Sequence, residues 1–205
     1  MNRLAAVILA GGQGERLGGV DKALLKVGGI RLIDRVTRSL SSQAALVLCS
    51  RRNGEASALP DGVIAINDLS SEFGGPLAGI AAAVDWLQRQ QEPPEFLLSV
   101  AVDTPFFPGD FAALALSALS DSCDAAIARY DGQPYPTNGI WRLSSLATLP
   151  ARVLAGTAPK GPKFLLREMT VSYLDWFPQH GQNPFANANT LSELLFLNRR
   201  ALGPQ

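Results

Sequence analysis

The sequence is poor in the residue types that most often act as metal ligands, catalytic nucleophiles or bases. Its 205 residues include two cysteines and one histidine. Cys49 and Cys123 lack the spacing of a metal site and the pattern of a disulfide framework, and we expect Cys49 to lie buried in a strand. His180 stands in a loop of Pro, Gln and Gly, where a histidine is ordinarily solvated. We find no Ser/His/Asp set and no Cys/His pair, which disfavours nucleophilic catalysis by a protein side chain.

The sequence also lacks net charge and long apolar runs. It has 18 basic and 18 acidic residues, so no global field favours nucleic acid or an anionic membrane. No apolar run approaches the roughly 20 residues of a membrane span. The apolar start, residues 1–10, is too short for a signal peptide and leads directly into a glycine-rich loop, so we interpret it as the first strand. We expect a soluble cytoplasmic protein that binds neither nucleic acid nor membrane.

Glycine and positive charge are concentrated near the amino terminus. Residues 9–22 have the sequence L-A-G-G-Q-G-E-R-L-G-G-V-D-K, which includes the cations Arg16 and Lys22. The first 40 residues contain seven Lys or Arg against three acids. Glycine lets backbone N–H groups approach an anion closely, and the loop follows a strand-like apolar segment. This pattern predicts a loop that binds the phosphates of a nucleotide, and five glycines with two cations disfavour a simple turn.

The spacing of this loop excludes the two commonest nucleotide-binding motifs. The dinucleotide motif G-x-G-x-x-G would need glycine at position 17, where Leu17 stands. The P-loop needs lysine directly after its last glycine, but Val20 and Asp21 intervene before Lys22. In addition, Ala23 stands where the P-loop has Ser or Thr. The loop therefore belongs to another class of nucleotide site.

Strand and helix patterns alternate along the chain. The predicted strands are residues 5–9, 45–50, 63–66, 96–102, 124–129 and 170–176, and the predicted helices are 30–40, 77–90, 111–119, 145–154, 163–169 and 191–199. We expect a loop over 131–136 and extended chain over 137–142. Alternation of this kind indicates a three-layer α/β/α sandwich with a mostly parallel sheet. No linker divides the chain, so we expect a single domain over residues 1–205.

Candidate site residues follow the predicted strands. The glycine loop, Asp68 and Asp103 come after the first, third and fourth strands, and in parallel sheets such positions meet at one edge. Asp103 is a candidate Mg²⁺ ligand, because Mg²⁺ needs only one or two carboxylates besides phosphates and water. The alternative, a helix cap, suits Asp110 better. Asp68 either caps a turn or contacts nucleotide. Lys22 and Arg16 are candidates to neutralise the β- and γ-phosphates, or are surface cations.

Four motifs give the chain a family resemblance. They are the loop over 9–22, which resembles the signature loop of nucleotidyltransferases, F-G-G-P-L-A-G-I over 73–80, V-D-T-P over 102–105 and N-A-N-T-L-S-E-L over 187–194. In the order and spacing of all four, the chain most closely resembles the molybdenum cofactor guanylyltransferases, over residues 4–194. By that resemblance, residues 73–80 would line the nucleotide base and residues 102–105 would bind the metal. Two positions depart from that pattern: Leu191 stands where the family usually has Pro, and Ser50 where Asn is frequent.

The resemblance implies transfer of GMP from GTP to the terminal phosphate of molybdenum-molybdopterin, which forms the guanine dinucleotide cofactor and pyrophosphate. It implies Mg²⁺ at Asp103, catalytic roles for Arg16, Lys22 and Asp103, a nucleotide-binding half over about 1–129 and an acceptor half over about 130–205. The segment 130–141, in which Tyr135 and Trp141 offer flat apolar surface with a polar edge, either forms part of the wall that faces the pterin or is a packed hairpin. Molybdoenzymes or their chaperones would receive the product. The implied binding residues are Leu9, Ala10, Gly11, Gly12, Lys22, Ser50, Asp68, Gly75, Asp103, Asn187 and Asn189.

Alternatives remain open at this point. The chain could use CTP with molybdopterin, although Gly12 resembles the guanylyl rather than the cytidylyl loop, which tends to have the sequence L-A-A-G. It could act on a sugar phosphate, although such enzymes usually carry G-T-R where this chain has G-E-R over 14–16. It could also be an idle homologue that only binds nucleotide or molybdopterin. The presence of both Lys22 and Asp103 argues against that.

Overall fold

The computed structural model describes residues 4–11, 13–14, 19–52, 58–69, 74–177 and 181–203. Gly12, Arg16 and His180, all named above, lie outside the described residues. Within the described ranges no helix has the length and apolar character that crossing a membrane would require.

In chain order the strands of the described residues are β1 (Leu4–Leu9), β2 (Gln13–Gly14), β3 (Val20–Asp21), β4 (Lys26–Val27), β5 (Ile30–Arg31), β6 (Leu46–Arg51), β7 (Val63–Asn67), β8 (Phe96–Ala101), β9 (Ala125–Tyr130), β10 (Gln133–Arg142) and β11 (Val171–Asp175). Seven of them form one sheet in the order β11-β9-β10-β8-β1-β6-β7. The four two-residue strands form two separate ribbons, β2 with β3 and β4 with β5.

The large sheet is parallel except at β10. Strand β1 pairs in parallel with β6 and β8, β6 with β7, and β9 with β11, whereas β10 runs antiparallel to β8 and β9. The prediction of a mostly parallel sheet is therefore confirmed. Short parallel strands between crossover helices explain the continuous apolar runs, because helices cover both faces.

The loop predicted over 131–136 is wrong for most of its length, because β10 begins at Gln133. Asp131 and Gly132 have φ of 49° and 73° and make the tight turn that leads from β9 directly into β10. Two successive residues with positive φ suit a hairpin, and Asp-Gly is a typical pair for it. In the sequence, Pro134 and Pro136 favour a loop. In the structure, the pairing of β10 with β9 shifts register between Pro134 and Gly139. Prolines are tolerated at such irregularities of a sheet.

Helices occur in every region where the sequence predicts one. They are α1 (Leu32–Leu40), α2 (Pro76–Gln88), α3 (Phe111–Ala118), α4 (Leu149–Leu154), α5 (Pro162–Leu165) and α6 (Leu191–Leu202). The helix predicted over 145–154 is a 3-10 turn, Leu143–Leu146, followed by α4, and α5 likewise continues as a 3-10 turn, Leu166–Glu168. Asp110 stands at the N-cap of α3 without a capping side-chain bond, and Gln43 Oε1 instead accepts from Ala112 N at 2.7 Å.

Two apolar cores lie on opposite faces of the sheet, which confirms the three layers. Alternate residues of β1 divide between them: Ile8 belongs to the core that includes α1 and α3, and Val7 to the core that includes α2 and α4. Cys49 is fully buried in the first core, as expected. Because β1 is buried along its whole length, the end of β1 has a fixed position relative to its neighbours.

Gly139 is required where β10 passes β9. A Cβ built at Gly139 would stand 2.5 Å from Ile127 Cδ1 and 2.9 Å from Ala126 O, and the second atom belongs to the backbone of a central strand. We expect Gly139→Ala to lower the free energy of unfolding by about 1–3 kcal/mol, because strain from overpacking exceeds the entropic gain from removing a glycine. Urea unfolding measures the change. Gly109→Ala is the matched control, since its Cβ would meet nothing within 4 Å; an equal effect of both changes would contradict the argument.

Candidate active site

The ends of four parallel strands are joined at one edge of the sheet. The strands β8, β1, β6 and β7 are neighbours in the sheet, and their carboxyl ends lie side by side at this edge. Three backbone hydrogen bonds connect the ends: Ala10 N to Ser50 O (3.0 Å), Asp68 N to Arg51 O (2.8 Å) and Val102 N to Leu9 O (3.2 Å). Residues far apart in sequence are thereby held at one edge, as the topology of parallel sheets predicts.

A cleft of about 240 Å³ opens at this edge. Nine of the residues named from the sequence line it: Leu9, Gly11, Lys22, Ser50, Asp68, Gly75, Asp103, Asn187 and Asn189. The cleft is also lined by Pro76, Gly79, Ala101, Val102 and Thr137. All but Ala101 belong to the motifs over 73–80 and 102–105 or to the segment 130–141, but the sequence interpretation did not single them out. Ala10 is buried behind the cleft and contributes through its backbone. Gly12 and Arg16 are outside the described residues, so their predicted roles remain predictions.

Lys22 links three distant segments of the chain. Its backbone belongs to a 3-10 turn, Lys22–Leu24, which Asp21 caps by accepting from Ala23 N at 2.9 Å. Its Nζ lies 2.7 Å from Asp103 Oδ2 and 2.6 Å from Asn189 Oδ1. The side chains of Lys22 and Asp103 are only 13% and 11% exposed, so this is a largely desolvated ion pair.

Asp103 is held by backbone bonds that do not involve its carboxylate. Thr104 N donates to Ala101 O at 3.1 Å and closes the turn after β8, and Ala188 N donates to Asp103 O at 3.1 Å. In the described part of the chain, no group of three or more His, Cys, Asp or Glu side chains is placed so that it could hold a metal ion. One carboxylate and the Asn189 amide oxygen are nevertheless hard oxygen donors, which suit Mg²⁺ when phosphates and water complete the shell.

The start of α6 fixes Asn189. Thr190 and Glu193 form a capping box, in which Glu193 N donates to Thr190 Oγ1 at 3.2 Å and Thr190 N donates to Glu193 Oε2 at 2.8 Å. The same Oε2 accepts from Asn189 N at 3.0 Å. The helix begins at Leu191, so the capping box starts it without the proline that the family usually has there.

The start of α2 faces the same cleft. Gly75 precedes the helix with φ of 98°, a conformation that favours glycine, and Pro76 is its first residue. The N-terminus of this 13-residue helix carries partial positive charge and backbone N–H donors, which favour an anionic or carbonyl ligand. Close packing places it there, because a Cβ at Gly79 would lie 2.6 Å from Ser50 Oγ.

Asp68 is a partly buried carboxylate beside the glycine loop. Burial raises its pKa, and the hydrogen bond from Ser50 Oγ and the charge of Arg52 offset part of that rise. Gly11 lies directly against this carboxylate, so any Cβ at position 11 would collide with Asp68 Oδ2. The glycine is therefore needed for close approach of the two chain segments.

The prediction that Trp141 faces the site is wrong. Trp141 is fully buried, and its Nε1 donates to Ser99 Oγ at 2.8 Å. Trp141 of β10 pairs with Leu97, which lies well before the end of β8 at Ala101, so its side chain is deep in the core. Thr137, earlier in β10, reaches the cleft. Knowledge of the strand register would have shown this, because only residues of β10 opposite the end of β8 can reach the edge of the sheet where the cleft lies.

A second cavity of about 330 Å³ adjoins the cleft, since Asn187 and Asn189 line both. Tyr135 lies in it, and its hydroxyl accepts from Asn183 Nδ2 at 2.5 Å. Ala186, Glu193, Phe196 and Leu197 complete the lining. The cavity combines apolar and aromatic surface with amide and carboxylate groups.

Known proteins with similar sequences share one activity in their names. The family profile described as "MobA-like NTP transferase domain" matches residues 6–173. The chain is 35% identical over 191 residues to a molybdenum cofactor guanylyltransferase from Rhodopseudomonas palustris strain HaA2, which covers 92% of this chain and 88% of the relative. It is 34% identical over 193 residues to the protein of the same name from Acidiphilium cryptum, covering 94% and 93%.

Solved structures show the same fold. The molybdopterin-guanine dinucleotide biosynthesis protein A of Archaeoglobus fulgidus superposes with a TM-score of 0.74 and 22% identity, over 97% of this chain and 98% of that one. The 2-C-methyl-D-erythritol 4-phosphate cytidylyltransferase of Thermus thermophilus superposes with a TM-score of 0.69 and 16% identity, over 99% and 100%. At these identities the similarity concerns the fold.

The raised pKa of Asp68 predicts a pH-dependent stability. The folded state favours the neutral carboxyl of Asp68. Its contribution to the free energy of unfolding is therefore fully present below the ordinary pKa of 3.8 and is lost as pH rises through the raised pKa. Because the side chain of Asp68→Asn stays neutral, we expect this variant to have a higher free energy of unfolding than the parent above the raised pKa, and the same free energy of unfolding in acid. Urea unfolding between about pH 4 and pH 8 tests this. The exposed Asp61→Asn is the control; a constant difference at every pH for Asp68→Asn would contradict the assignment.

Proposed function

The chain belongs to the MobA-like NTP transferase family, as a relative of the molybdenum cofactor guanylyltransferases, and we propose that its cleft binds GTP for transfer of GMP to molybdenum-molybdopterin. It is a nucleotidyltransferase, an enzyme class that generally uses a divalent metal. The specific substrates, Mg²⁺ and the roles of individual residues are the proposal.

One observation carries this proposal. The cleft brings together a cation (Lys22), a carboxylate suited to a metal (Asp103) and the positive end of α2. A nucleoside triphosphate in complex with a divalent metal presents the complementary groups, phosphates for the cation and the metal for the carboxylate. A cleft that bound only a sugar or a peptide would need neither the metal site nor the buried ammonium.

Guanine fits the inner part of the cleft. The guanine edge requires an acceptor for its N1–H and N2–H groups and a donor for O6. Asp68 supplies a carboxylate, held by Ser50, and the start of α2 supplies backbone N–H donors. Cytosine offers a carboxylate one donor group, the N4 amino group, beside the acceptors N3 and O2, whereas guanine offers N1–H and N2–H side by side for both carboxylate oxygens. This complementarity supports GTP over CTP.

The reaction is an in-line displacement at phosphorus. A terminal phosphate oxygen of molybdopterin attacks the α-phosphorus of GTP, a new P–O bond forms, and the bond from that phosphorus to the bridging oxygen breaks. Pyrophosphate leaves with the electron pair. The attacking phosphate is already ionised, so no protein base is needed, in keeping with the single histidine of the sequence.

The protein contributes position and charge. Lys22 binds the β- and γ-phosphates and neutralises the leaving pyrophosphate. Asp103, with Asn189 close by, would hold Mg²⁺, which would supply positive charge against the charge that develops at the α-phosphate and on the leaving group. Arg16 has the same proposed role as Lys22.

The second cavity is the proposed acceptor pocket. Tyr135 and Phe196 offer flat surface for a pterin, and Asn187 and Asn189 stand between the two cavities, where the two substrates meet. This gives a nucleotide half over about 1–129 and an acceptor half over about 130–205, within one domain. Molybdoenzymes or their chaperones are the proposed recipients of the product.

Asp103→Ala is expected to fold normally and to lower the transfer rate at least about a hundredfold, because the metal loses its carboxylate. Pyrophosphate release with GTP and molybdenum-loaded molybdopterin measures the rate, and circular dichroism verifies the fold. Asp110→Ala is the matched control, since that exposed carboxylate makes no capping bond. Near-normal turnover of Asp103→Ala would contradict the metal assignment.

Pyrophosphate release from the purified protein with GTP, CTP or ATP tests the substrates. We expect release with GTP in the presence of Mg²⁺ and molybdenum-loaded molybdopterin, and little with the other nucleotides. Release with CTP alone would keep the mechanism and overturn the base assignment. Protein that binds GTP but releases nothing would indicate an idle homologue or another acceptor, such as a sugar phosphate.

A further inference from the structure

The ammonium group of Lys22 occupies a position between two oxygen ligands. Its Nζ lies 2.7 Å from Asp103 Oδ2 and 2.6 Å from Asn189 Oδ1, and these residues are 81 and 167 positions away in the sequence. Both distances are those of strong, charge-assisted hydrogen bonds. Since carboxylate and amide oxygens are also what a hard divalent cation prefers, the ammonium stands where such a cation would bind.

We propose that Lys22 fills the divalent-cation site of the nucleotide-free protein and leaves it when a nucleotide supplies phosphates. The metal site is then complete only in the presence of nucleotide, so binding of the nucleotide and binding of the divalent cation strengthen each other. This inference rests on the proposed function, because it takes the displacing anion to be the triphosphate of the substrate.

Two features of Lys22 make such a switch possible. Its backbone is anchored by the Asp21 cap, so only the four-carbon side chain has to move. Gly75, Pro76 and Gly11 line the same cleft as Lys22, so phosphates bound there come within reach of the side chain. When the side chain moves, the ammonium exchanges the Asp103 carboxylate for the phosphates of the nucleotide as its anionic partner.

The backbones of Asp103 and Asn189 are held by bonds that do not involve Lys22. Backbone bonds from Thr104 to Ala101 and from Ala188 to Asp103 hold the Asp103 turn, and Glu193 holds the backbone of Asn189. Removing the ammonium therefore leaves the backbone that carries both oxygens in place, and both side chains become free to bind a metal. Because a divalent cation and an ammonium repel each other at this range, the ammonium is what weakens metal binding in the free protein.

Titration with Mn²⁺, followed by electron paramagnetic resonance, tests the proposal, since Mn²⁺ takes the same oxygen ligands as Mg²⁺. Without nucleotide, we expect Lys22→Met to bind Mn²⁺ about tenfold more tightly than the parent, and Lys22→Arg to bind it as weakly as the parent. With a non-hydrolysable GTP analogue, the parent should gain affinity by a similar factor and Lys22→Met should gain less. Lys26→Met, which removes an exposed lysine, is the control for loss of charge.

Equal Mn²⁺ affinities of the parent and Lys22→Met without nucleotide would overturn the proposal, as would weaker binding by a Lys22→Met protein that melts normally. A similar gain in Lys26→Met would also overturn it, because the effect would then reflect net charge. The measurement with Mn²⁺ alone involves no nucleotide. Its failure is therefore distinct from failure of the proposed function, which would appear as absent pyrophosphate release by the parent with every nucleotide.

Discussion

The parallel pairing of β1 with β6 on one side and β8 on the other is the constraint on which the site depends. Parallel strands end at the same edge, and the three backbone bonds at that edge hold the segments that follow within reach of one another. Because β1 is buried along its full length, its end cannot shift without exposing apolar surface. Gly11, Asp68 and Asp103 therefore line one cleft although they are far apart in the sequence.

Close approach, rather than a large number of polar groups, shapes the cleft. Gly11 lets the loop pass against the Asp68 carboxylate, and Gly79 lets α2 pack against Ser50. These contacts bring the start of α2 to the edge where the strands end. The positive end of the helix, the ammonium of Lys22 and the Asp103 carboxylate thus occupy a small and partly desolvated space, where each charge acts more strongly than it would in water.

The carboxyl-terminal part of the chain completes the site through backbone contacts. Ala188 N binds the carbonyl of Asp103, and Glu193 holds Asn189 while it caps α6. The two asparagines line both the cleft and the second cavity. The N-x-N-T motif therefore connects the two cavities, and the capping box explains why Thr190 and Glu193 accompany the asparagines.

The sequence by itself determined the local features: apolar runs for the strands of the sheet, the glycine loop, and Asp68 and Asp103 at strand ends, because hydrophobic period and loop chemistry depend on neighbouring residues. Within the segment 130–141 it singled out Trp141, which lies deep in the core, and not Thr137, which reaches the cleft, because strand register depends on pairing with β8. Only the tertiary structure decided that Lys22 meets Asp103 and Asn189. Contacts across 81 and 167 residues follow from how strands and loops pack, and no local pattern records them.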